Sequence, residues 1–349
     1  MRASVLYGPR DIRLDKCPDP ALRRQSDAIV QVTAAAVCGS DLWRYRGVIE
    51  VADPRRMGHE FVGIVAEVGT EVCKVRPGDV VVAPFNASDG TCSRCIDGVP
   101  ASCARIAYWG GQDEDGAPVD AGQGEYVRVP LADGTLVVVP GAPETAQIPD
   151  LLTLSDVMAT GHHAAVCAGV DPGRTVAVVG DGAVGLCGIL AARRLGAERI
   201  IVMSRHSGRQ RLALQFGATD IVGERGVEGI QQVMDLLDGT GADSVLECVG
   251  TRESMEQAIG VARPGGGVGY VGIPAGGAEL PIDQLFYNNI IIRGGPAAVR
   301  TYLPDLLRDV LAGEMAPGLV FDLHLPLSEV AAGYAAMDER RCVKALLRP

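Results

Sequence analysis

The sequence predicts an α/β protein of two domains, one β-rich and one built on a doubly wound parallel sheet. Three observations carry this. The chain has 349 residues, enough for two separate cores. Up to about Leu151 it reads as Val-rich strands broken by turns. From Thr175 to about Gly295, short apolar strands alternate with helical patterns, which is the signature of a parallel sheet covered on both faces.

The elements follow in order. Ala28 to Ala35 and Phe61 to Val68 alternate in polarity and run into turn residues. Arg76-Pro77-Gly78-Asp79 is a turn leading into Val80-Val81-Val82-Ala83. Glu125 to Pro130 and Leu136 to Val139 add two strands, so this region reads as barrel-like. Strands are then expected at Thr175–Val179, Arg199–Met203, Asp220–Val222, Ser244–Leu246, Gly267–Val271 and Ile290–Ile292, with helices in the gaps. The tail predicts a helix around Tyr302 to Leu311, a strand near Val320 to Leu323, a helix from Ser328 to Met337 and a last strand from Val343 to Leu347. It is expected to return to the first domain. There is no internal repeat and no low-complexity segment.

Composition narrows the function. Apolar residues make up 47% and charged residues 21%, ordinary for a globular chain. The net charge of −11, with both signs interspersed, argues against nucleic acid or an anionic membrane as the main partner. Met1-Arg2-Ala3-Ser4 opens no signal peptide, and no apolar run reaches spanning length. The expectation is a soluble cytoplasmic protein acting on a small molecule. Of ten cysteines, Cys92, Cys95 and Cys103 cluster, and clustered cysteines in such a chain read as metal ligands rather than disulfides.

Two motifs carry chemistry. Cys38-Gly39-Ser40-Asp41 and Gly58-His59-Glu60 bring a thiolate and an imidazole, both good zinc ligands, with a hydroxyl and carboxylates beside them. A catalytic zinc needs a third ligand, and Asp156 is the candidate. Taken alone, Cys38 reads more readily as core than as ligand, and Asp156 also suits a helix N-terminal residue favoured by the dipole. Farther on, Val176-Ala177-Val178-Val179 runs into Gly180-Asp181-Gly182-Ala183-Val184-Gly185 and then an apolar helix. The three glycines allow a tight turn, close approach of a pyrophosphate and close helix–strand packing, with the phosphates at the helix N-terminus. An NAD site usually carries an acid roughly 20 residues on. Here the next strand ends in Met203-Ser204-Arg205-His206, without one. Ser204 and Arg205 suit a 2′-phosphate, which favours NADP, with NAD still possible; the alternative is that Arg205 stacks on the adenine. Cys248-Val249, Val271-Gly272-Ile273 and Arg293 sit at strand ends and are expected to border the cofactor, although the glycines there also suit plain turns.

Together these motifs resemble the zinc-dependent alcohol dehydrogenases of the medium-chain dehydrogenase/reductase superfamily. The likeness runs through Cys38-x-Ser40-Asp41, Gly58-His59-Glu60-Phe61-Val62-Gly63 with Gly69 and Val72, the cysteine lobe, Asp156-Val157-Met158-Ala159-Thr160-Gly161-His162, the glycine turn and the tail. It is closest to the NADP-linked bacterial secondary alcohol dehydrogenases at Asp156 and Ser204-Arg205. It implies a GroES-like catalytic domain (1–159 and 297–349) split around a Rossmann cofactor domain (160–296). It also implies zinc on Cys38, His59 and Asp156, Glu60 approaching the metal, Asp41 orienting His59, and Ser40 taking the substrate's hydroxyl proton during hydride transfer. A second, structural zinc is implied at Cys92, Cys95 and Cys103, with Asp89 where the family has a fourth cysteine; a lobe that has lost its metal is the alternative. Where many relatives end their proton relay in a histidine, this chain has Trp43, which with Tyr45 is expected to shape the substrate pocket. His162 is expected to pack or line the cofactor site. Self-association as a homodimer or homotetramer is implied, through the apolar edge near Asn288 to Arg293. Rival readings are a polyol, sugar or amino-alcohol dehydrogenase with the same zinc chemistry, a zinc-free reductase, and a non-catalytic NADP-binding sensor or structural protein.

Overall fold

The computed structural model describes residues 1–274 and 280–349. The chain divides into two compact units, Met1–Asp156 with Ala298–Pro349, and Val157–Ala297.

The first unit begins with a hairpin, β1 (Arg2–Gly8) and β2 (Asp11–Lys16), followed by β3 (Ala28–Ala36), the short helix α1 (Asp41–Tyr45), β4 (Arg55–Arg56), β5 (Glu60–Val68) and β6 (Val80–Ala83). Next come β7 (Asn86–Ala87), α2 (Ser93–Ile96), β8 (Ala107–Tyr108), β9 (Tyr126–Val129), α3 (Ala132–Thr135), β10 (Val137–Val138) and α4 (Ile148–Thr153). The strand expected from Leu136 to Val139 is only two residues long, because helix α3 runs directly up to Leu136. Strand β3 pairs antiparallel with β5 and β9, and inward-facing Ala28, Val30 and Val32 join Val65, Val81 and Val127 in one core. Phe61 meets Trp109 edge-to-face at 5.1 Å, and the indole N–H donates to the Pro84 carbonyl at 2.8 Å, so the ring is buried with its polar atom satisfied.

The second unit opens with α5 (Val157–Cys167), then β11 (Thr175–Val179), α6 (Ala183–Arg194), β12 (Arg199–Met203), α7 (Ser207–Phe216), β13 (Asp220–Val222), α8 (Gly226–Leu236), β14 (Ala242–Glu247), α9 (Arg252–Gly260), β15 (Ala262–Tyr270), α10 (Ile282–Asn288) and β16 (Ile291–Gly294). The six strands form one parallel sheet in the order β13-β12-β11-β14-β15-β16. The order reverses beside β11, which places the glycine turn at the switch point of a doubly wound Rossmann sheet. Strand β16 begins one residue later than the sequence pattern suggests and runs further. Arg293 therefore lies inside the strand, paired with Gly269, and the strand ends at Gly294.

The tail supplies α11 (Val299–Leu311), β17 (Phe321–Pro326), α12 (Val330–Asp338) and β18 (Lys344–Arg348) to the first unit. Strand β18 pairs antiparallel with the end of β3, giving a sheet in the order β10-β6-β5-β3-β18-β17. The return expected of the tail is thus made by backbone hydrogen bonds, not by side-chain packing alone. Among the described residues, no helix is long and apolar enough to cross a membrane.

Candidate active site

Strands β3, β5 and β18 bring the chemistry together at one end of their sheet. Ala36, the last residue of β3, pairs with Glu60, the first of β5, and with Leu346 of β18. Cys38 follows β3 and His59 precedes β5, so sheet register puts the two side by side. Asp156 arrives from the turn after α4.

Cys38 Sγ lies 3.4 Å from Asp156 Oδ2, and His59 Nε2 lies 3.2 Å from the same oxygen. One donor atom each from Cys38, His59, Glu60 and Asp156 all fall within 4.8 Å of one another. Asp41 holds two of these groups: its Oδ2 accepts the Cys38 backbone N–H at 3.0 Å, and its Oδ1 faces His59 Nδ1 at 3.3 Å. This leaves Nε2 directed at the cluster, the arrangement by which a carboxylate fixes the tautomer of a ligating histidine. Burial, with Asp156 beside it, pushes the Cys38 thiol up to about 11. Burial pulls His59 down, but Asp41, the Cys38 sulfur and Asp156 outweigh it and leave the imidazole well above its usual value. Sulfur, nitrogen and carboxylate donors packed this closely, in surroundings that attract positive charge, fit a tetrahedral zinc ion.

Behind the cluster stands a residue that the sequence reading did not single out. Lys344 on β18 is 1% exposed and its Nζ sits 2.6 Å from Glu60 Oε1, donating also to the Val37 carbonyl at 3.0 Å. Burial opposes the charge of Lys344, yet Glu60 more than offsets it and raises the ammonium above its usual value. Burial raises Glu60 in turn, against the pull of Lys344. The other oxygen, Glu60 Oε2, is buried without a hydrogen-bond partner among the described residues. The signal available in the sequence was a single charge inside the apolar run Val343-Lys344-Ala345-Leu346-Leu347.

Ser40 is half-buried ahead of α1, and no hydrogen bond engages its hydroxyl among the described residues. Trp43 is also half-buried, with the Arg46 guanidinium 5.8 Å from its ring. Tyr45 departs from expectation. It is buried in the core against Tyr334, centroids 5.3 Å apart, because the one-turn helix α1 points it inward with Leu42. His162 is buried and His163 Nε2 lies 3.5 Å from Cys167 Sγ one turn along α5; neither belongs to the cluster.

The second group is Asp89, Cys92, Cys95 and Cys103, whose donor atoms again lie within 4.8 Å of one another. The backbone N–H groups of Asp89 and Arg105 point at Cys103 Sγ, both at 3.3 Å, and Ala104 N–H at Cys92 Sγ at 3.5 Å. Asp89 Oδ1 accepts from Thr91 and Cys92 at 2.8 and 2.9 Å. Burial works against ionisation of Asp89, but these N–H groups hold its carboxyl down to about 2. Three thiols and a carboxylate on one loop, the thiols giving up their protons on binding, fit a closed structural zinc site.

In the second unit, Gly180 follows β11 with φ +114°, and a Cβ on Gly185 would lie 1.9 Å from the Gly180 carbonyl, so the turn and the start of α6 admit only glycine there. Gly182 is the N-cap of α6, with Ala183 and Val184 in its first turn. Asp181 is buried; Ser204 Oγ donates to its Oδ2 at 2.9 Å and Arg209 Nη1 to its Oδ1 at 3.1 Å. Arg205 is exposed, whereas Arg209, in the first turn of α7 and not singled out from the sequence, is the arginine packed against the glycine turn. Burial pushes the half-buried Cys248 thiol well above its usual value. Val249 and Ile273 are exposed at the ends of β14 and β15, and Val271 N–H bonds the Glu247 carbonyl at 2.9 Å, locking these two turns together. Glu247 itself, also unforeseen, accepts from Val249, Gly250 and Ser254.

Residues 24–141 match the alcohol dehydrogenase GroES-like domain family and residues 183–310 the zinc-binding dehydrogenase family. A zinc-binding alcohol dehydrogenase of Mycobacterium tuberculosis is 36% identical over 342 residues, covering 97% of this chain and 86% of that protein. Among solved structures, the alcohol dehydrogenase TADH from Thermus sp. ATN1 superposes with a TM-score of 0.90 at 32% identity, covering 100% of this chain and 99% of the other. A zinc-binding dehydrogenase from Sinorhizobium meliloti 1021, solved bound to NADP, gives 0.83 at 26% identity, covering 100% and 99%. With the donor cluster, the Rossmann sheet and similarity across the whole chain all in agreement, the protein belongs to the zinc-dependent alcohol dehydrogenases of the medium-chain dehydrogenase/reductase superfamily.

Proposed function

We propose that this alcohol dehydrogenase oxidises a primary or secondary alcohol with NADP⁺ and reduces the matching carbonyl with NADPH, using zinc on Cys38, His59 and Asp156. The observation that carries the reading is the buried cluster of sulfur, imidazole and carboxylate donors, with Glu60 Oε2 beside it lacking a hydrogen-bond partner among the described residues. Zinc held there supplies Lewis acidity to the substrate oxygen, and the nicotinamide accepts or returns the hydride. The chain does the rest. Asp41 keeps His59 Nε2 turned to the cluster. Lys344 neutralises one oxygen of Glu60 and leaves the other free to approach the cluster. Ser40, whose hydroxyl makes no hydrogen bond among the described residues, would take the alcohol's proton; with Trp43 in place of a relay base, the proton would leave by water or by another group. Asp89, Cys92, Cys95 and Cys103 hold a second zinc that stiffens their loop and does no chemistry.

For the cofactor, Gly180 to Gly185 receive the pyrophosphate, and Cys248, Val249, Val271, Gly272, Ile273 and Arg293 border the dinucleotide. Ser204 and Arg205 face the 2′-phosphate. Asp181 does not oppose that phosphate with a bare charge, because Arg209 and Ser204 both engage its carboxylate. The NADP-bound relative from Sinorhizobium meliloti supports this preference. We further propose a cytoplasmic homodimer or homotetramer. All ten cysteines are free, as in a reducing compartment, and edge strand β16 exposes Ile291, as α10 exposes Phe286 and Tyr287. A monomeric mass by light scattering withdraws the assembly.

The test is metal content together with a panel of ketones, aldehydes, polyols and sugars under both cofactors. About two zinc ions per chain, carbonyl reduction and a kcat/KM at least about tenfold higher with NADPH than with NADH are expected, a difference of roughly 1.4 kcal/mol. Full turnover by zinc-free protein ends the zinc reading; equal rates with both cofactors end the NADP preference; turnover confined to sugars selects the polyol reading.

A further inference from the structure

The two ligand-bearing segments, Ala36-Val37-Cys38 and Met57-Gly58-His59, both touch one fully buried side chain, Gln123. Its Nε2 donates to the Ala36 carbonyl at 2.9 Å, at the end of β3 just before Cys38. Its backbone N–H donates to the Met57 carbonyl at 3.1 Å, and its neighbour Gly122 donates to the Gly58 carbonyl at 2.8 Å. Gly58 has φ +100°, and a Cβ there would lie 2.4 Å from Gln123 Cγ, so the glutamine stem packs directly on the residue before His59. The remaining atom, Oε1, accepts from Ser4 Oγ at 2.9 Å and from the Tyr334 hydroxyl at 3.1 Å. These bonds span more than 80 residues of sequence in each case. Ser4 and Tyr334 therefore fix the amide from β1 and α12 while the amide fixes both ligand segments.

We propose that Gln123 is a positioning residue for the catalytic metal: it sets the separation of Cys38 from His59 and thereby how tightly zinc is held. An apolar side chain in its place would remove the donor to the Ala36 carbonyl and the acceptor shared by Ser4 and Tyr334, a loss that is costly where water is excluded. Groups one step behind metal ligands commonly change metal affinity by about 10–100-fold when removed. The inference rests on Cys38, His59 and Asp156 being the ligands.

The experiment compares wild-type protein with Gln123→Leu. It measures zinc release to a chelating dye and the visible absorption of protein loaded with Co²⁺ at the Cys38 site. At least about tenfold faster release of one zinc is expected, with a changed Co²⁺ band. Release of the other zinc and binding of NADPH, followed by its fluorescence, are expected to stay unchanged. Wild-type release and a wild-type band in folded Gln123→Leu overturn the proposal. If that variant does not fold, Gln123→Met decides in its place: it keeps the length of the stem but has neither the donor to Ala36 nor the acceptor for Ser4 and Tyr334. Faster release is expected there too, and wild-type release again overturns the proposal. Failure of the underlying ligand reading is distinguishable, because wild-type protein itself would then take up no Co²⁺ at Cys38.

Discussion

The two clusters of metal-type donors in the catalytic unit are built in opposite ways. Asp89, Cys92, Cys95 and Cys103 come from one loop, and the loop's own backbone N–H groups point at the sulfurs and at Asp89. Cys38, His59 and Asp156 come from three distant segments, and side chains from elsewhere align them: Asp41 on His59, Lys344 on Glu60 and Gln123 on both approaches. A local site is assembled by its turn. A non-local site has to be assembled by the fold, and here it is the more deeply buried of the two. Loss of a donor should therefore have different consequences in the two places.

The largest difference is expected in catalysis. Cys38→Ala removes the sulfur donor and should lower kcat/KM by at least about 1,000-fold, close to 4 kcal/mol of transition-state stabilisation. NADPH binding, followed by its fluorescence, should change by no more than about twofold, since the glycine turn lies in the other unit. The matched change Cys95→Ala should leave the kcat of folded protein nearly intact. If both substitutions reduce turnover equally, the division of labour between the clusters is wrong.

The next effect is on stability. Lys344→Met strands Glu60 in a site where both side chains are essentially buried, at 1% and 0% exposure. Removing one member of a buried pair typically costs about 3–5 kcal/mol. The urea midpoint of the catalytic unit should fall accordingly, and a second change, Glu60→Gln, should recover much of the loss by removing the orphaned charge. A Lys344→Met protein of wild-type stability would mean that the pair is not held as described, and that the two clusters do not differ in how they are supported.

This contrast also explains what could be read from the sequence. The strand–helix alternation, the glycine turn and the spacing of Cys92, Cys95 and Cys103 are local patterns, and local patterns survive in one dimension. Cys38, His59 and Asp156 could be nominated from their donor chemistry, but only their joint pattern, which the family resemblance joined across distant segments, favoured a ligand set over the plainer reading of each residue. Lys344, Gln123, Arg209 and Glu247 were not legible, because each acts through a contact set by sheet register or by packing of a turn, with no short-range signature. Tyr45 failed for the same reason: proximity in sequence to Trp43 suggested a shared pocket, whereas the helical turn sends it into the core. The length of β16 was misjudged because glycine marks strand ends in most sequences. In this sheet Gly294 is itself paired, opposite Tyr270, and a Cβ there would be 1.9 Å from the Tyr270 carbonyl, so glycine there serves close packing inside the paired region.

The smallest predicted effect bears on the one non-cysteine donor of the local cluster. Asp89 divides its carboxylate: Oδ1 accepts the Thr91 and Cys92 N–H groups, while among the described residues Oδ2 makes no such bond to the backbone, leaving it available to a metal. Asp89→Asn keeps an oxygen for the turn but loses the charge and the second oxygen. In chelator-treated protein the substitution should cost only about 1 kcal/mol, the difference between charged and neutral acceptors. In zinc-saturated protein the cost should be larger, because an ion that binds the folded loop and not the unfolded chain adds its binding free energy to stability, and the weaker site adds less. Urea unfolding of both proteins with and without zinc gives the four midpoints required. Unequal costs place Asp89 on the metal. Equal costs reduce it to a turn residue, and the comparison then sharpens to one working metal site beside a lobe that keeps its cysteines for packing.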